Sequence, residues 1–200
     1  GNTSLIFGDK SELILAKGEP LGTFYGLVYE SIGADGSIIY KDIDNNKTIN
    51  GNDRQVLGNI QPRFTYGISS SLQYHHFDAS IAFSGSQGNK LYNGLRQTLE
   101  HANDAYNVLS TYVVSNKTTS YIDSRYVEDA SYLKLKNITL GYSVHAKSIP
   151  FIENIRFFAT AQNLITISKY KGYDPEVANG SDYGAYPSAR SFTFGIEVKL

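Results

Sequence analysis

The sequence predicts an all-β protein whose antiparallel strands cross a membrane as part of a β-barrel. Two features predict this: alternating side chains in several segments, and alternating short and long connections. The absence of a long apolar run excludes a membrane-spanning helix and says nothing against a barrel. Successive side chains of a strand point to opposite faces, so an alternating segment has one apolar and one polar face. A barrel strand needs about 9–11 such residues to cross a bilayer.

The last eleven residues, 190–200, alternate most regularly. One face would be wholly apolar, and it would carry Phe192, Phe194, Ile196, Val198 and Leu200. The other face would be small or polar. A half-buried strand of a soluble β-sandwich has the same pattern. This segment alone therefore does not distinguish a membrane barrel from a sandwich.

Four more segments alternate in the same way. Residues 63–75 and 77–84 form a predicted hairpin with a very short turn, and a second pair covers 138–144 and 155–162. The apolar phase changes between Leu135 and Ile138, which predicts either a strand that extends beyond the bilayer or a β-bulge. In a barrel the polar faces would line the lumen, and the predicted lumen-facing residues are Asn137, Thr139, Arg156, Thr160, Gln162 and Glu197.

The lengths of the connections favour the barrel over the sandwich. Residues 75–77 and 145–154 are short connections, whereas 30–61, 85–130 and 166–189 are long. Because short and long alternate, all long connections would lie at one end of the sheet. Outer-membrane barrels have short periplasmic turns and long extracellular loops. We therefore expect residues 85–130 and 166–189 to be extracellular loops.

Composition excludes several classes of function. The 18 Lys and Arg residues nearly balance the 19 Asp and Glu residues, so a nucleic-acid partner is not expected. Cysteine is absent, which removes disulfides and thiolate metal sites. No nucleophile elbow, zinc signature or phosphate loop is present, so we do not expect an enzyme. The alternative that stays open is a soluble β-sandwich that binds glycan or calcium.

A polar loop, 42–53, has oxygen-bearing side chains at alternate positions, as calcium loops do. The candidate calcium ligands are Asp42, Asp44, Asn46, Thr48 and Asp53. However, Lys47 stands where a calcium loop has the glycine that makes its sharp turn. A solvated turn rich in Asp and Asn is the other interpretation. No other metal or cofactor is expected.

The long connection 166–189 is rich in tyrosine and glycine. Tyrosine rings suit stacking on sugar rings, although aromatic loops also pack on themselves. The residues predicted to face a substrate or a lid protein are Tyr170, Tyr173, Asp174, Tyr183 and Tyr186.

Five stretches, taken together, resemble a known family: 18–30, 56–67, 126–144, 161–177 and 182–200. They are similar to the C-terminal barrel region of the SusC/RagA-family TonB-dependent outer-membrane transporters of Bacteroidetes. The resemblance implies import of glycans, oligosaccharides or peptides, driven by the TonB system. It also implies an outer-membrane location in contact with lipid, and a SusD-like surface lipoprotein as a lid over the mouth.

The resemblance further implies a barrel of about twenty-two strands with an N-terminal plug. About seven strands are predicted here, and neither a plug nor a TonB box is visible. We therefore expect residues 1–200 to be the C-terminal part of a larger barrel. In this family the last strand carries the signal for barrel assembly, which corresponds to 192–200 here. Leu200 replaces the usual terminal aromatic residue.

Overall fold

A computed structural model describes residues 5–7, 12–100, 109, 121–145 and 149–200. These residues form two compact units. The first, here the sheet unit, comprises 64–87, 132–168 and 187–200; the second, the loop unit, comprises the described residues of 1–63, 88–131 and 169–186. A search of the described residues for a helix long and apolar enough to cross a membrane found none.

The strands of the loop unit are short. They are β1 (Leu5–Phe7), β2 (Leu13–Leu15), β3 (Thr23–Gly26), β4 (Tyr29–Ile32), β5 (Ile38–Tyr40), β6 (Gln55–Asn59), β9 (Lys90–Asn93), β10 (Val127–Asp129) and β13 (Ser181–Asp182). A single helical turn (Gly51–Asp53) precedes β6, and a helix, α1 (Gly94–Glu100), follows β9. Within the connection 85–130, the described residues are helical from Gly94 to Glu100, and 101–108 lie outside the described residues.

The sheet unit contains the long strands. They are β7 (Phe64–Tyr74), β8 (Phe77–Gln87), β11 (Tyr132–His145), β12 (Asn154–Ser168) and β14 (Ser191–Lys199). The order across the sheet is β14-β12-β11-β8-β7, and every pair is antiparallel. The predicted hairpin at 75–76 is confirmed. Among the described residues β7 and β14 each pair on one side only, so the sheet is open, as part of a barrel would be.

The apolar face of this sheet is exposed over its whole width. Fifteen of its large side chains are between 41% and 79% exposed: Phe64, Ile68, Leu72, Tyr74, Phe77, Leu140, Tyr142, Val144, Phe157, Ile165, Ile167, Phe192, Phe194, Ile196 and Val198. A sandwich would bury this face against a second sheet. Exposed apolar patches of this extent mark a surface that another apolar phase covers. The sandwich interpretation is therefore not supported, and the face suits lipid contact.

The predicted β-bulge is confirmed, and it continues into the next strand. Ile138 and Leu135 of β11 pair with Ile81 and Phe83 of β8, so β11 has one extra residue there. Strand β12 has one more residue than β11 over the same stretch. Within it, Asn163 adopts a left-handed backbone with φ 52°, a conformation that asparagine tolerates better than most residues. The bulges explain the change of apolar phase seen in the sequence.

The ends of the strands are sorted as predicted. A tight turn joins β7 to β8, and β11 and β12 pair up to His145 and Asn154 at the same end of the sheet. At the opposite end β8 and β12 finish, and β7, β11 and β14 begin. The long connections 85–130 and 166–189 leave the sheet from this second end. Their extracellular location stays a prediction.

The loop unit has its own core, so the long connections are not structureless. One buried cluster contains Leu13, Phe24, Tyr92, Ile122, Tyr126 and Val127, and a second contains Leu91, Ala130 and Tyr170. Strands β1, β2, β3 and β6 form one sheet, and β13 pairs in parallel with β9, which also pairs with β10. The segment 20–32 contains β3 and β4, and β5 returns along β4.

Candidate functional site

All six predicted lumen-facing residues lie on the polar face of the sheet unit. The hydroxyl oxygens of Thr139 and Thr160 are 2.9 Å apart, across β11 and β12. The Thr139 hydroxyl donates to Asn137 Oδ1 at 3.1 Å, and the Ser191 hydroxyl donates to Gln162 Oε1 at 3.1 Å. Polar groups are therefore linked across neighbouring strands, as in a hydrated wall. That this wall faces a lumen stays a prediction.

This face also carries a group of three charged side chains, one each from β8, β12 and β14, that are joined by ion pairs. Arg156 of β12 donates from Nε and Nη2 to Asp78 of β8 at 2.8 and 2.6 Å, and from Nη1 to Glu197 of β14 at 3.3 Å. Strand β11 lies between β8 and β12, and Gly141 occupies the crossing point. A Cβ atom there would lie 2.3 Å from Asp78 Oδ1. The missing side chain of Gly141 therefore makes room for the ion pair.

The tyrosine-rich connection divides into buried and exposed residues. Tyr173, Tyr183 and Tyr186 are exposed, and Tyr186 reaches 92%. Tyr170 and Asp174 are only 8% and 9% exposed. Both side chains are thus buried in the described part of the chain, and their contact with a substrate or lid stays a prediction. Tyr170 packs in the second buried cluster, and Asp174 accepts a hydrogen bond from the Glu176 N–H at 3.0 Å.

Tyr170 anchors the connection through a buried carboxylate. Its hydroxyl donates to Asp182 Oδ2 at 2.7 Å. Asp182 Oδ1 in turn accepts from the N–H groups of Gly184 and Ala185 at 2.9 and 2.8 Å. Burial, together with the bond to Asp182, raises the pKa of the Tyr170 hydroxyl, so it stays a donor at physiological pH.

Replacing Tyr170 by Phe will destabilise the loop unit by about 1–3 kcal/mol, because the buried Asp182 carboxylate loses a donor that water does not replace. The measurement is the rate of limited proteolysis within 169–190 in the full-length protein. Tyr173→Phe is the matched control, since its exposed hydroxyl can bond to water, and it should cost less than about 0.5 kcal/mol. Equal proteolysis rates in the two variants would contradict the anchoring role.

Tyr173 lies beside a cavity of about 410 Å³ in the loop unit. Leu95 and Leu99 of α1 contribute apolar surface, and Lys171 contributes a cation. Arg96 also lines the cavity, and it is held by Glu100 and Glu128 at 2.8 Å each. The volume lies in the range of small-molecule sites, about 300–1,000 Å³. Tyr173, one of the predicted contact residues, therefore borders a cavity of this kind.

The predicted calcium loop brings three carboxylates together. One oxygen each of Asp42, Asp44 and Asp53 lies within 4.8 Å of the others. Asn46 donates from its side-chain amide to Asp44 Oδ2 at 2.8 Å. The loop donates to its own carboxylates, for example from the Lys47 N–H to Asp42 Oδ2 at 2.7 Å. A calcium site at this loop stays a prediction.

Asp53 is the buried member of this group and gives the loop a predicted pH dependence. It accepts from the N–H groups of Asn50 and Ile43 at 2.8 Å each, and chiefly the Asn50 bond lowers its pKa. Because the pKa is lower in the folded than in the unfolded chain (about 3.9), this stabilisation is present above about pH 4. It is lost as the pH falls through the folded pKa.

Hydrogen exchange of the Asn50 and Ile43 amides, corrected for intrinsic rates, measures this effect. Protection should be constant from pH 6 to about pH 4 and should fall below it. Asp53→Asn should remove that acid-dependent fall, since the amide has no carboxylate to protonate. Protection that falls equally in the variant would assign the effect to another group.

An open antiparallel sheet with an exposed apolar face and tight turns at one end defines the chain as a segment of a membrane β-barrel. Comparisons with known proteins agree. The chain is 30% identical to TonB-dependent receptor P3 of Formosa agariphila, over 97% of this chain and 24% of that protein. It is 30% identical to TonB-dependent receptor SusC of Bacteroides thetaiotaomicron, over 88% of this chain and 19% of that protein. These likenesses support the resemblance to SusC/RagA-family TonB-dependent transporters that the sequence shows.

Solved structures agree on the fold. The RagAB peptide importer in its open-open state superposes with a TM-score of 0.79 at 21% identity, over 100% of this chain and 24% of that one. Its closed-closed state gives 0.77 at 22% identity, over 98% and 24%. A scan of protein-family models found no match. The chain thus spans about a quarter or less of the length of these relatives.

Sequence reasoning missed Asp78 as a partner of Arg156. Its position on the polar face of 77–84 was visible in the alternation, but the pairing of β8 with β11 was not. The missing signal was the strand order, since β8 and β12 are separated by one strand and Gly141 lets their side chains meet.

Proposed function

We propose that this chain is part of the barrel of an outer-membrane, TonB-dependent active importer. The observation that carries the proposal is the two-faced sheet: one face exposes a continuous band of apolar side chains, and the other carries linked polar groups and an ion pair. Lipid on one side and a hydrated passage on the other account for both faces. The likeness to TonB-dependent receptors supports coupling of this import to TonB.

The proposed cargo is a glycan, an oligosaccharide or a peptide, and the proposed partner is a SusD-like surface lipoprotein. The likeness to SusC supports the glycan as cargo, and the fold shared with the RagAB peptide importer supports the peptide. Tyr173 and its cavity are the proposed cargo contacts in the loop unit. Catalysis is not part of the proposal, because the relatives are receptors and transporters.

Uptake by intact cells tests the proposal. A strain that lacks the full-length gene is compared with the wild type and with a strain in which TonB is depleted. Labelled oligosaccharide and peptide mixtures are supplied, and periplasmic accumulation is measured. Accumulation of at least one cargo should be lost in both altered strains. Accumulation that depends on the gene but not on TonB would contradict active import and leave a passive pore.

A further inference from the structure

We infer that the loop unit contains a subsite for the carboxylate or sulfate group of an acidic solute. The subsite is a second cavity, of about 540 Å³, between the end of β6, the segment 61–63 and the residues 88–90. It shares none of its lining residues with the cavity at Tyr173. The inference rests on the proposed import function, because it names a chemical class of cargo.

Two cationic side chains line this cavity, and each lies on a glycine. A Cβ atom at Gly88 would lie 2.8 Å from Arg63 Cγ, and one at Gly58 would lie 2.6 Å from Lys90 Cγ. The aliphatic stems of Arg63 and Lys90 therefore occupy the space that larger residues would fill. This packing limits the positions of both stems and brings two positive groups to one cavity.

The charges of the lining residues leave an excess of positive charge. Glu19 is the acidic residue of the lining, against Arg63 and Lys90. Lys90 has Asp129 opposite it on β10, where that carboxylate accepts bonds from the Ser131 N–H and hydroxyl at 3.0 and 2.6 Å. Arg63 has no hydrogen bond or ion pair with any residue that the structure describes. Its guanidinium is therefore available to a ligand.

The segment 59–63, which carries Arg63, is held in place by Asn59. Its amide donates to the Leu21 carbonyl at 3.1 Å and to the Thr23 hydroxyl at 2.9 Å, and its Oδ1 accepts from the Gln61 N–H at 2.6 Å. A fixed loop loses little freedom when a ligand binds. A guanidinium matches the two oxygens of a carboxylate or sulfate. The described lining includes no aromatic ring, so recognition rests on charge and hydrogen bonds.

Binding to the purified full-length protein, measured by calorimetry in detergent, tests the subsite. The probes are tri-galacturonate and the peptide acetyl-Gly-Gly-Glu-amide, with galactotriose and acetyl-Gly-Gly-Gln-amide as neutral counterparts. At least one acidic probe should bind more tightly than its counterpart. Tighter binding of the acidic saccharide would identify a uronic acid as the source of the carboxylate. Tighter binding of the acidic peptide would identify a peptide side chain as its source. Equal affinity for acidic and neutral probes in both arms would overturn the inference.

Variants assign the effect to this cavity. Arg63→Gln and Lys90→Gln should each weaken the acidic probe about tenfold or more, because each removes a charge-assisted contact. Arg63→Lys keeps the charge but loses the planar fork, so it should weaken binding less. Arg190→Gln and Lys17→Gln are the matched controls, since both residues are exposed and lie outside the cavity. Equal losses in the controls would overturn the inference.

Two readouts separate this inference from the proposed function. Loss of TonB-dependent uptake with intact binding of the acidic probe would leave the subsite standing and remove the import function. TonB-dependent uptake of neutral cargo without acidic binding would do the reverse. A full-length structure in which an acidic side chain from elsewhere in the same polypeptide pairs with Arg63 would also overturn the subsite, since that side chain would already occupy it.

Discussion

Replacing Phe194 by Arg should lower the free energy of unfolding of the full barrel by about 2–4 kcal/mol, the cost of a cationic side chain near the middle of the bilayer. Phe194 lies midway along β14 and is 79% exposed on the apolar face. Its neighbour Thr193 points to the opposite face, where it pairs with Thr160. Thr193→Arg should therefore cost much less, although the same cation is added one residue away.

The two variants are compared by urea unfolding in lipid vesicles, with the shift of the heat-modifiable band as the measure of folded barrel. The apolar-face variant should also accumulate less in outer-membrane fractions. Both variants add the same side chain to the same strand. A difference in their stability therefore reports which face was changed. A larger loss for Thr193→Arg than for Phe194→Arg would reverse the assignment of lipid and lumen to the two faces.

The sheet unit was largely predictable from the sequence because its strands are long and their alternation is a local property. Phe192 to Val198 reveal their common face without knowledge of any neighbour. The bulge beside Leu135 was equally visible, since an extra residue shifts every later apolar side chain by one position. The hairpin at 75–76 followed from two alternating segments that meet with little space for a turn.

The loop unit was not predictable to the same degree because its strands have two to five residues and because some of them, such as β3 with β6 and β9 with β10, pair over long distances in sequence. β13 pairs with β9 almost ninety residues earlier, and nothing local in the sequence indicates it. Tyr170 illustrates the consequence. The tyrosine-rich composition of the connection 166–189 suggested a solvent-facing ring at this position. In the structure Leu91 of β9 and Ala130, which follows β10, bury it. Burial set by distant partners has no local signal.

The ion pair between Arg156 and Asp78 leads to the second large effect, a destabilising Gly141→Ala substitution. The added Cβ would lie 2.3 Å from Asp78 Oδ1, so the carboxylate must move and its bonds to Arg156 weaken. A hydrogen bond to a charged group contributes about 1.5–3 kcal/mol. The two side chains are 27% and 29% exposed, so solvent screening reduces this to about 1–2 kcal/mol.

Gly67→Ala provides the matched control, because Gly67 lies within β7 and its added Cβ would lie 3.7 Å from its nearest neighbour, the Phe83 carbonyl oxygen. Alanine is favoured over glycine within a strand by roughly 0.5–1 kcal/mol, so the control should be neutral or stabilising. Urea unfolding of the full barrel measures both variants. Equal stability of the two would show that the space at Gly141 is not needed by the ion pair.

A double-mutant cycle then identifies the cause of the Gly141 effect. In an Arg156→Gln background the carboxylate of Asp78 has already lost its partner, so Gly141→Ala should cost about 1 kcal/mol less than in the wild type. Gly67→Ala should cost the same in both backgrounds. If the Gly141 substitution were equally costly with and without Arg156, its effect would come from a clash with the backbone or with Asp78 alone. The glycine would then serve strand packing rather than the contact between β8 and β12.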